Sequence, residues 1–408
     1  MKDSEILRGL AVRYMELAGD EKNSERRHRA YQTTALKQVR PLVWIDEVPW
    51  SEMNINGELS LLCEAEDARA AETWFRRKIF QWNHFQGDMI LEPFFPVHPS
   101  VTNTSYGLQV SEHTLPTDPQ NHIVSHEYLD QLDSMKKLEK IQEPVVTRDL
   151  SAEQKRMDRL QDLLGDTIPL RLVQENAWYT CWDEIATFRG MNALLMDLAV
   201  EPELMHATIK KISECKASEF EQMEKLNVYG CHPENLHCTP HYSKELEAAE
   251  ESGGAGRHCT WLRANAQPFS NVSPRMHDEY EIQYLIPLAE PFGFTYYGCC
   301  EPLSDRLDVI KKIPNLRKVG VSPWSSVDAS AEQLGSDYIF ARKPNPAFVV
   351  GHMDEELVRA ETKQTVEACI RYHCPFELVL KDISTVSHRP ENLFRWVEVV
   401  EKTIDQYF

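Results

Sequence analysis

The chain has 408 residues, of which 42% are hydrophobic and 26% charged, with a formal net charge of −20. This composition is typical of a globular protein with a sizeable core and excludes a disordered chain. The basic residues form only short clusters among acidic neighbours. Nucleic acid and anionic membrane surfaces are therefore not expected as partners.

Neither a membrane span nor a secretory leader is apparent. No apolar run reaches the ~18 residues of a transmembrane helix, and the first residues, MKDSEIL, lack the apolar core of a signal peptide. The ten cysteines are scattered, which in such a chain favours reduced thiols over a disulfide framework. We expect a cytoplasmic protein.

The N-terminal part of the chain is predicted to be largely helical. Apolar residues among charges predict a helix over 3–38, and helical spacing predicts another over 65–85. Residues 1–85 are therefore assigned to a helical extension packed on the remainder of the chain. A strand is predicted at 89–95, and 97–150 is an irregular excursion with one helix near 127–141.

The second half alternates strands and helices, which indicates a parallel sheet. About eight such units favour a (β/α)8 TIM barrel over residues 86–408 rather than a doubly wound sheet. No GxGxxG or GxxxxGK[ST] follows a strand, which argues against a dinucleotide or P-loop fold. The predicted strands lie at 167–173, 258–266, 294–297, 316–321, 337–341 and 376–380. The predicted helices lie at 184–199, 202–226, 274–287, 303–313, 354–371 and 390–406.

Three stretches resemble the uroporphyrinogen decarboxylase superfamily. Residues 188–198 (FRGMNALLMDL) and 201–206 (EPELMH) are similar to its RG-x-x-x-L-L-x-D-L…x-P-E-L segment. The helix that starts at Ser273-Pro274, with the strand that follows it, is similar to its SPEM…P helix and metal-ligand strand. Residues 390–393 (PENL) are similar to its closing P-x-E-N-V. The resemblance covers roughly 165–405 and implies a (β/α)8 barrel enzyme.

Within that superfamily the resemblance favours the corrinoid, or methylcobalamin, methyltransferase branch, because the arginine-rich RQAGR segment of the decarboxylases is absent. The methyltransferases bind zinc through a His-x-Cys at one strand end and a cysteine at the last strand end. Here Cys299 keeps the sulfur, Tyr297 or Gly298 stands at the histidine position, and Asp382 lies near the last cysteine position. The resemblance implies zinc and a methylcobalamin-type corrinoid carried by a partner protein.

Four residues are candidates for catalysis: Cys299, Cys300, Glu301 and Asp382. The first three lie where a predicted barrel strand ends and a helix begins, a position that favours thiolate. Thiolates at Cys299 and Cys300 would bind zinc or act as nucleophiles, and the alternative is two buried packing residues. Glu301 would be a ligand, an acid/base or a first-turn carboxylate. Asp382 would be functional or part of a structural pair with Lys381.

Seven further residues, each close to the end of a predicted strand, are candidates for substrate binding. Among them, the cations Arg342 and Lys343 suit an anionic substrate group. A turn shaped by the prolines that follow would also explain this segment. These residues are Glu175, Trp178, Tyr179, Trp324, Arg342, Lys343 and His388. The Cys231-His232 and His237-Cys238 pairs do not match a closed zinc-finger spacing and lie in a connection, so we do not expect metal there.

The leading hypothesis is an enzyme that transfers a methyl group between a corrinoid and a small thiol or related acceptor. One alternative is a metal-independent decarboxylase or lyase, acting on a tetrapyrrole or small carboxylate through Asp382 and Arg342. Another is a non-catalytic corrinoid-binding barrel. Partners would be a small-molecule substrate and a corrinoid protein. Association into a homodimer is left open, and the sequence does not name the substrate.

Overall fold

A seven-stranded parallel sheet forms the centre of the molecule. The computed structural model describes residues 2–116, 124–232 and 236–408. The strands are β1 Leu42–Ile45, β2 Phe95–Val97, β3 Val101–Asn103, β4 Glu112–Pro116, β5 Val124–Tyr128, β6 Val146–Arg148, β7 Leu170–Leu172, β8 Ala177–Tyr179, β9 Trp261–Ala264, β10 Phe294–Tyr297, β11 Leu316–Val321, β12 Ile339–Arg342 and β13 Phe376–Leu380.

Helices cover the sheet and build the N-terminal region. They are α1 Lys2–Ala18, α2 Glu21–Thr34, α3 Glu66–Phe85, α4 Met135–Leu138, α5 Leu150–Leu164, α6 Cys181–Arg189, α7 Met191–Val200, α8 Pro202–Lys225, α9 Lys244–Gly253, α10 Pro274–His277, α11 Gln283–Ala289, α12 Leu307–Ile310, α13 Val327–Leu334, α14 Glu355–Arg371 and α15 Glu391–Ile404. Short 3-10 turns and one π-helical turn join several of them.

The strand order of the main sheet is β1-β13-β12-β11-β10-β9-β8, so the first strand in the chain pairs with the last. Every pairing within this sheet is parallel. All residues of β9, β10, β12 and β13 are buried, as expected for a parallel sheet covered on both faces. The architecture is thus α/β.

The two faces of this sheet differ in chemistry. One face packs apolar side chains, such as Leu262 and Val319, into the largest hydrophobic cluster. The opposite face carries Arg263, Lys318 and Glu377, all at most 1% exposed. Buried charges are tolerated only where partners satisfy them, so this second face is the part of the sheet built for polar contacts.

The parallel α/β order predicted for the second half is found, and several boundaries are corrected. The helix predicted at 3–38 is two helices, because Asp20 caps α2 by accepting a hydrogen bond from the Lys22 N–H at 2.9 Å. The strand predicted at 89–95 is wrong except for Phe95, which begins β2, and the helix near 127–141 shrinks to α4. The helix at 303–313 shrinks to α12.

Two features lay outside the predictions. The sheet includes β1, which the sequence placed in the extension over 1–85; Leu42 to Ile45 pair with Glu377 to Leu380. Residues 97–150, predicted to be irregular, contain the antiparallel pairs β3–β6 and β4–β5, and part of their connection lies outside the described residues. In the ranges that the structure describes, no helix is both long and apolar enough to cross a bilayer.

Candidate active site

Polar side chains from several loops meet at the carboxyl edge of the main sheet, where active sites form in barrel enzymes. Asp46 and Glu47 follow β1, Cys299 follows β10, and Lys381 and Asp382 follow β13. The adjacent strands hold these loops together: the Asp46 N–H donates to the Leu380 carbonyl at 2.9 Å. The edge is therefore a rigid platform for these groups.

Backbone conformation fixes the two loops that matter most. Gly298 has a φ of 101°, and a Cβ there would lie 2.6 Å from Leu303, so only glycine fits the turn that presents Cys299. Asp382 has a φ of 57°, in the left-handed region that is unfavourable for most residues. Its N–H donates to a Glu47 carboxylate oxygen at 2.8 Å, which holds this conformation in place.

Cys299 and Lys381 form the centre of the site. The Lys381 Nζ lies 3.1 Å from the Cys299 Sγ, 3.0 Å from a carboxylate oxygen of Asp382 and 3.8 Å from one of Glu47. The Cys300 Sγ lies 2.9 Å from Asp382 and 3.7 Å from the Cys299 Sγ. Cys299 is only 3% exposed, so its sulfur and the ammonium interact largely shielded from water.

This environment favours the thiolate of Cys299. A hydrogen bond from Cys300, one from His237 and the positive charges of Arg263 and Lys381 together lower the pKa of the Cys299 thiol, although burial opposes them. The hydrogen bond to Cys299, followed by burial, raises the pKa of Cys300. These opposite directions favour a thiolate at Cys299 and a thiol at Cys300.

The Glu301 carboxyl group, beside Cys299, has two acidic neighbours: Glu281, which is buried, and Asp183, which is half-buried. Glu301 is fully buried; one oxygen accepts the Cys299 N–H at 2.9 Å, and the other has no partner among the described residues. Both oxygens of fully buried Glu281 are likewise unpartnered in the part of the chain described. Asp183 accepts from Asn265 at 3.0 Å.

The surroundings of these carboxyl groups raise their pKa values, which favours the protonated form. Burial, followed by the charge of Glu301, raises the pKa of Asp183 to about 7. Burial also raises the pKa of Glu281 and of Glu301, since a carboxylate without water or partners is unfavourable. Asp183 therefore titrates near neutral pH, and the site contains potential proton donors beside a thiolate.

Cations line the polar face of the sheet below the sulfurs. The Arg263 guanidinium lies 4.1 Å from the centre of the Tyr296 ring, and its Nε and one terminal nitrogen have no partner within the described residues. Lys343 donates to the Cys238 carbonyl at 2.6 Å. Unsatisfied guanidinium N–H groups favour an anionic group or a hydrogen-bond acceptor.

The structure brings together part of the predicted site. The four catalytic candidates lie in this cluster, and Lys343 lies on the same polar face. Trp178 borders it, with its ring centre 5.5 Å from that of His237. These residues share one feature: each lies on the polar face of the sheet or at its carboxyl edge.

Other predicted substrate-binding residues are placed elsewhere. Arg342 is held against α14 by Glu361 at 2.8 Å, and the Tyr179 hydroxyl lies 3.1 Å from Ser213 of α8. Successive side chains in a strand point to opposite faces of the sheet, so Arg342 and Tyr179 point away from the polar face that their neighbours line. Trp324 is 70% exposed, Glu175 contacts His98 at 3.3 Å, and His388 is exposed, its N–H bonded to Glu52 at 2.9 Å.

The expected zinc site on Cys299 and Cys300 does not fit this arrangement. The Lys381 ammonium already lies between Cys299 and Asp382, where a metal cation would have to stand. In the described residues, neither cysteine belongs to a group of three donor side chains within 4.8 Å of one another. These two sulfurs are therefore set up for a protein cation rather than a metal ion.

Sequence reasoning missed several residues of the site. Asp46 and Glu47 carried a usable signal, since they directly follow the apolar run of β1. Arg263 also carried one, as a charge within an otherwise apolar strand. Asp183 and Glu281 lie in helical turns and look like ordinary surface acids, and only the fold buries them.

The comparisons with known proteins are sparse. No family model matches the chain, and no curated protein matches it by sequence. Among solved structures the chain is similar to a methyltransferase from Methanosarcina mazei, with 10% sequence identity and a TM-score of 0.49. That similarity covers 94% of this chain and 98% of the other.

Proposed function

We propose that the protein is a methyltransferase in which the Cys299 sulfur accepts a methyl group from a corrinoid donor and passes it to a small thiol. The observation that carries this proposal is the 3.1 Å contact between the Cys299 Sγ and the Lys381 ammonium at the carboxyl edge of the sheet. An adjacent cation stabilises a thiolate, which is the nucleophilic form of cysteine. A reduced thiol is needed, so we propose that the protein works in the cytoplasm.

We further propose that the sheet is a (β/α)8 barrel. Pairing of the first strand with the last leaves only the gap between β1 and β8 to be closed. Residues beside that gap support closure: the Asp88 N–H donates to the Val43 carbonyl of β1 at 2.7 Å. The parallel pair β2–β7 also comes from the intervening segment of the chain.

In the first half-reaction, the Cys299 thiolate attacks the methyl carbon. A carbon–sulfur bond forms, the bond from that carbon to the donor breaks, and its electron pair leaves with the donor. A methylcobalamin-type corrinoid on a partner protein is the donor proposed here, and it supplies an electrophilic methyl carbon. Lys381 holds the sulfur in place by its hydrogen bond before attack.

In the second half-reaction, the thiolate of a small acceptor attacks the same methyl carbon and displaces Cys299. The acceptor thioether forms, and the Cys299 thiolate returns with the electron pair of the broken bond. Lys381 and Arg263 stabilise the departing thiolate by the charges that favour it at rest. The acceptor loses its thiol proton before attack, and we assign this proton to Asp183, whose pKa of about 7 leaves part of its population ionised at neutral pH.

The test uses methylcobalamin as donor and 2-mercaptoethanol as acceptor, with the methyl thioether quantified by mass spectrometry. We expect turnover by the full chain and a loss of at least ~100-fold in Cys299→Ser. Cys300→Ser is the matched control and should retain most activity. Equal activity of wild type and Cys299→Ser would overturn the proposal. Tight corrinoid binding without any turnover would point instead to the binding-barrel alternative.

A metal-independent lyase is the second candidate, favoured by Asp183, whose pKa of about 7 suits a proton donor. Arg342 does not fit the role of substrate cation in this reaction, because its guanidinium is engaged by Glu361 of α14 at 2.8 Å. Arg263 would replace it as the cation that meets a substrate carboxylate. Turnover that survives Cys299→Ser but is lost in Asp183→Asn would favour this candidate.

A further inference from the structure

We propose that Asp46, His237 and Cys238 form a metal site that binds a divalent transition ion, with zinc as the best match. A carboxylate oxygen, an imidazole nitrogen and the Cys238 sulfur lie within 4.8 Å of one another. This triad is distinct from Cys299 and Cys300, where the family resemblance would have placed zinc. It also lies in a connection that the sequence pattern did not favour as a metal site.

The fold fixes the triad before any ion binds. Asp46 directly follows β1, and one of its carboxylate oxygens accepts the Cys238 N–H at 2.9 Å. Cys238 is fully buried and has a φ of 59°. Its carbonyl accepts from Lys343 at 2.6 Å. Two anchored backbone groups therefore hold the sulfur beside the carboxylate, so little rearrangement is needed to close a metal site.

The donor types match zinc. Oxygen, nitrogen and sulfur from three side chains are typical of its sites, whereas magnesium and calcium prefer oxygen alone. The carboxylate and a thiolate would together balance the charge of a divalent ion. A metal-binding histidine is commonly oriented by a carboxylate. Here the His237 Nε2 lies 3.3 Å from a Glu47 oxygen.

Three protein ligands leave one coordination position open, as in catalytic zinc sites. His237 also contributes to the lowered pKa of the Cys299 thiol, so the triad adjoins the proposed nucleophile. A small thiol bound there as thiolate would meet the methyl group on Cys299. This use of the metal rests on the proposed function, whereas metal binding by the triad does not.

The experiment measures metal in the full chain. Protein purified from zinc-supplemented cells is assayed for zinc, then stripped with a chelator and titrated with Co²⁺, whose thiolate charge-transfer absorbance reports a cysteine ligand. We expect stoichiometric zinc and this absorbance in wild type, and at least ~100-fold weaker Co²⁺ binding in Cys238→Ser. Asp46→Asn keeps an acceptor for the Cys238 N–H and should weaken binding while the fold, checked by circular dichroism, is unchanged.

The Cys299→Ser/Cys300→Ser double variant is the matched control and should bind Co²⁺ like wild type. Loss of metal in that control, with retention in Asp46→Asn and Cys238→Ser, would overturn the inference. So would metal that disappears only in Cys231→Ser, because Cys231, His232 and Glu250 form the other such group in the described chain. Absence of metal from wild type would also overturn it, without bearing on methylation of Cys299.

Discussion

Two lysine–acid pairs on the polar face of the sheet have different surroundings. Lys318 and Glu377 are each 1% exposed in their side chains, and the ammonium lies 2.9 Å from the carboxylate. Thr239 contacts both, and the Pro240 carbonyl accepts from the Lys318 Nζ at 3.0 Å. Lys381 instead meets a thiolate and two carboxylates, of which the Asp382 side chain is 45% exposed.

The difference is consistent with a structural role for Lys318 and Glu377 and, under the proposed function, with a role in catalysis for Lys381. The Lys318 ammonium and the Glu377 carboxylate bind each other and further protein groups, so the pair can serve the fold alone. Around the sulfurs, Glu301, Glu281 and Arg263 keep buried atoms without partners in the described residues. Unsatisfied buried groups are costly, and we infer that the carboxyl edge retains them because a substrate completes them.

The largest effect is expected from breaking the structural pair. Glu377→Gln should lower the free energy of unfolding by about 3–5 kcal/mol, since it leaves the Lys318 ammonium buried without its counter-charge. Urea unfolding measures this. The double variant Lys318→Met/Glu377→Leu removes both charges and should recover most of the loss. A stability of Glu377→Gln equal to wild type would contradict a structural role.

The second prediction concerns the functional pair. Lys381→Met should slow methylation of Cys299 by ~100-fold, because a charge-assisted hydrogen bond to the sulfur is lost. Single-turnover methylation at neutral pH provides the measurement. Lys381→Arg keeps the charge and should lose less. An unchanged rate in Lys381→Met would show that this ammonium does not act on the sulfur.

The third prediction concerns Asp183, whose folded-state pKa of about 7 lies above the unfolded value near 3.9. The folded protein binds the extra proton, so stability from this group falls as pH rises from about 4 to about 7. The fall should be about 2 kcal/mol, less than the full shift implies because Asp183 is partly exposed. Unfolding at several pH values should show that Asp183→Asn lacks this contribution, as a difference in slope from wild type.

The smallest effect sharpens the comparison with Glu377. Glu301→Gln is the same chemical change at an equally buried acid, yet it should alter stability by less than ~1 kcal/mol. Burial raises the pKa of Glu301, so its protonated form resembles the amide. Urea unfolding of the two glutamine variants side by side tests this. A loss at Glu301 as large as that at Glu377 would mean that Glu301 is ionised.

Local pattern accounts for much of the fold. The runs that form β10 and β13 were predictable, because strands buried on both faces have few charged residues. The place of β1 in the main sheet was not predictable, since a strand of four residues gives little signal until its partner β13 is known. The same limit applies to 97–150, where short antiparallel strand pairs depend on tertiary contacts.

The site was predictable only in its contiguous part. Cys299 to Glu301 and Asp382 stand at strand ends, which the alternating pattern locates. Arg342 and Tyr179 were misplaced because a shift of one residue along a strand turns a side chain to the opposite face. Cys238 reaches the site through a long connection, and no local pattern reports such a path.

The most direct test of the account is to incubate the full chain with methylcobalamin, without an acceptor thiol, and to map methylation by peptide mass spectrometry. The account predicts one methyl group on Cys299, none on Cys300, and its removal when 2-mercaptoethanol is added. Methylation of Cys300 or of another residue in place of Cys299, or no methylation under conditions of turnover, would contradict Cys299 as the nucleophile.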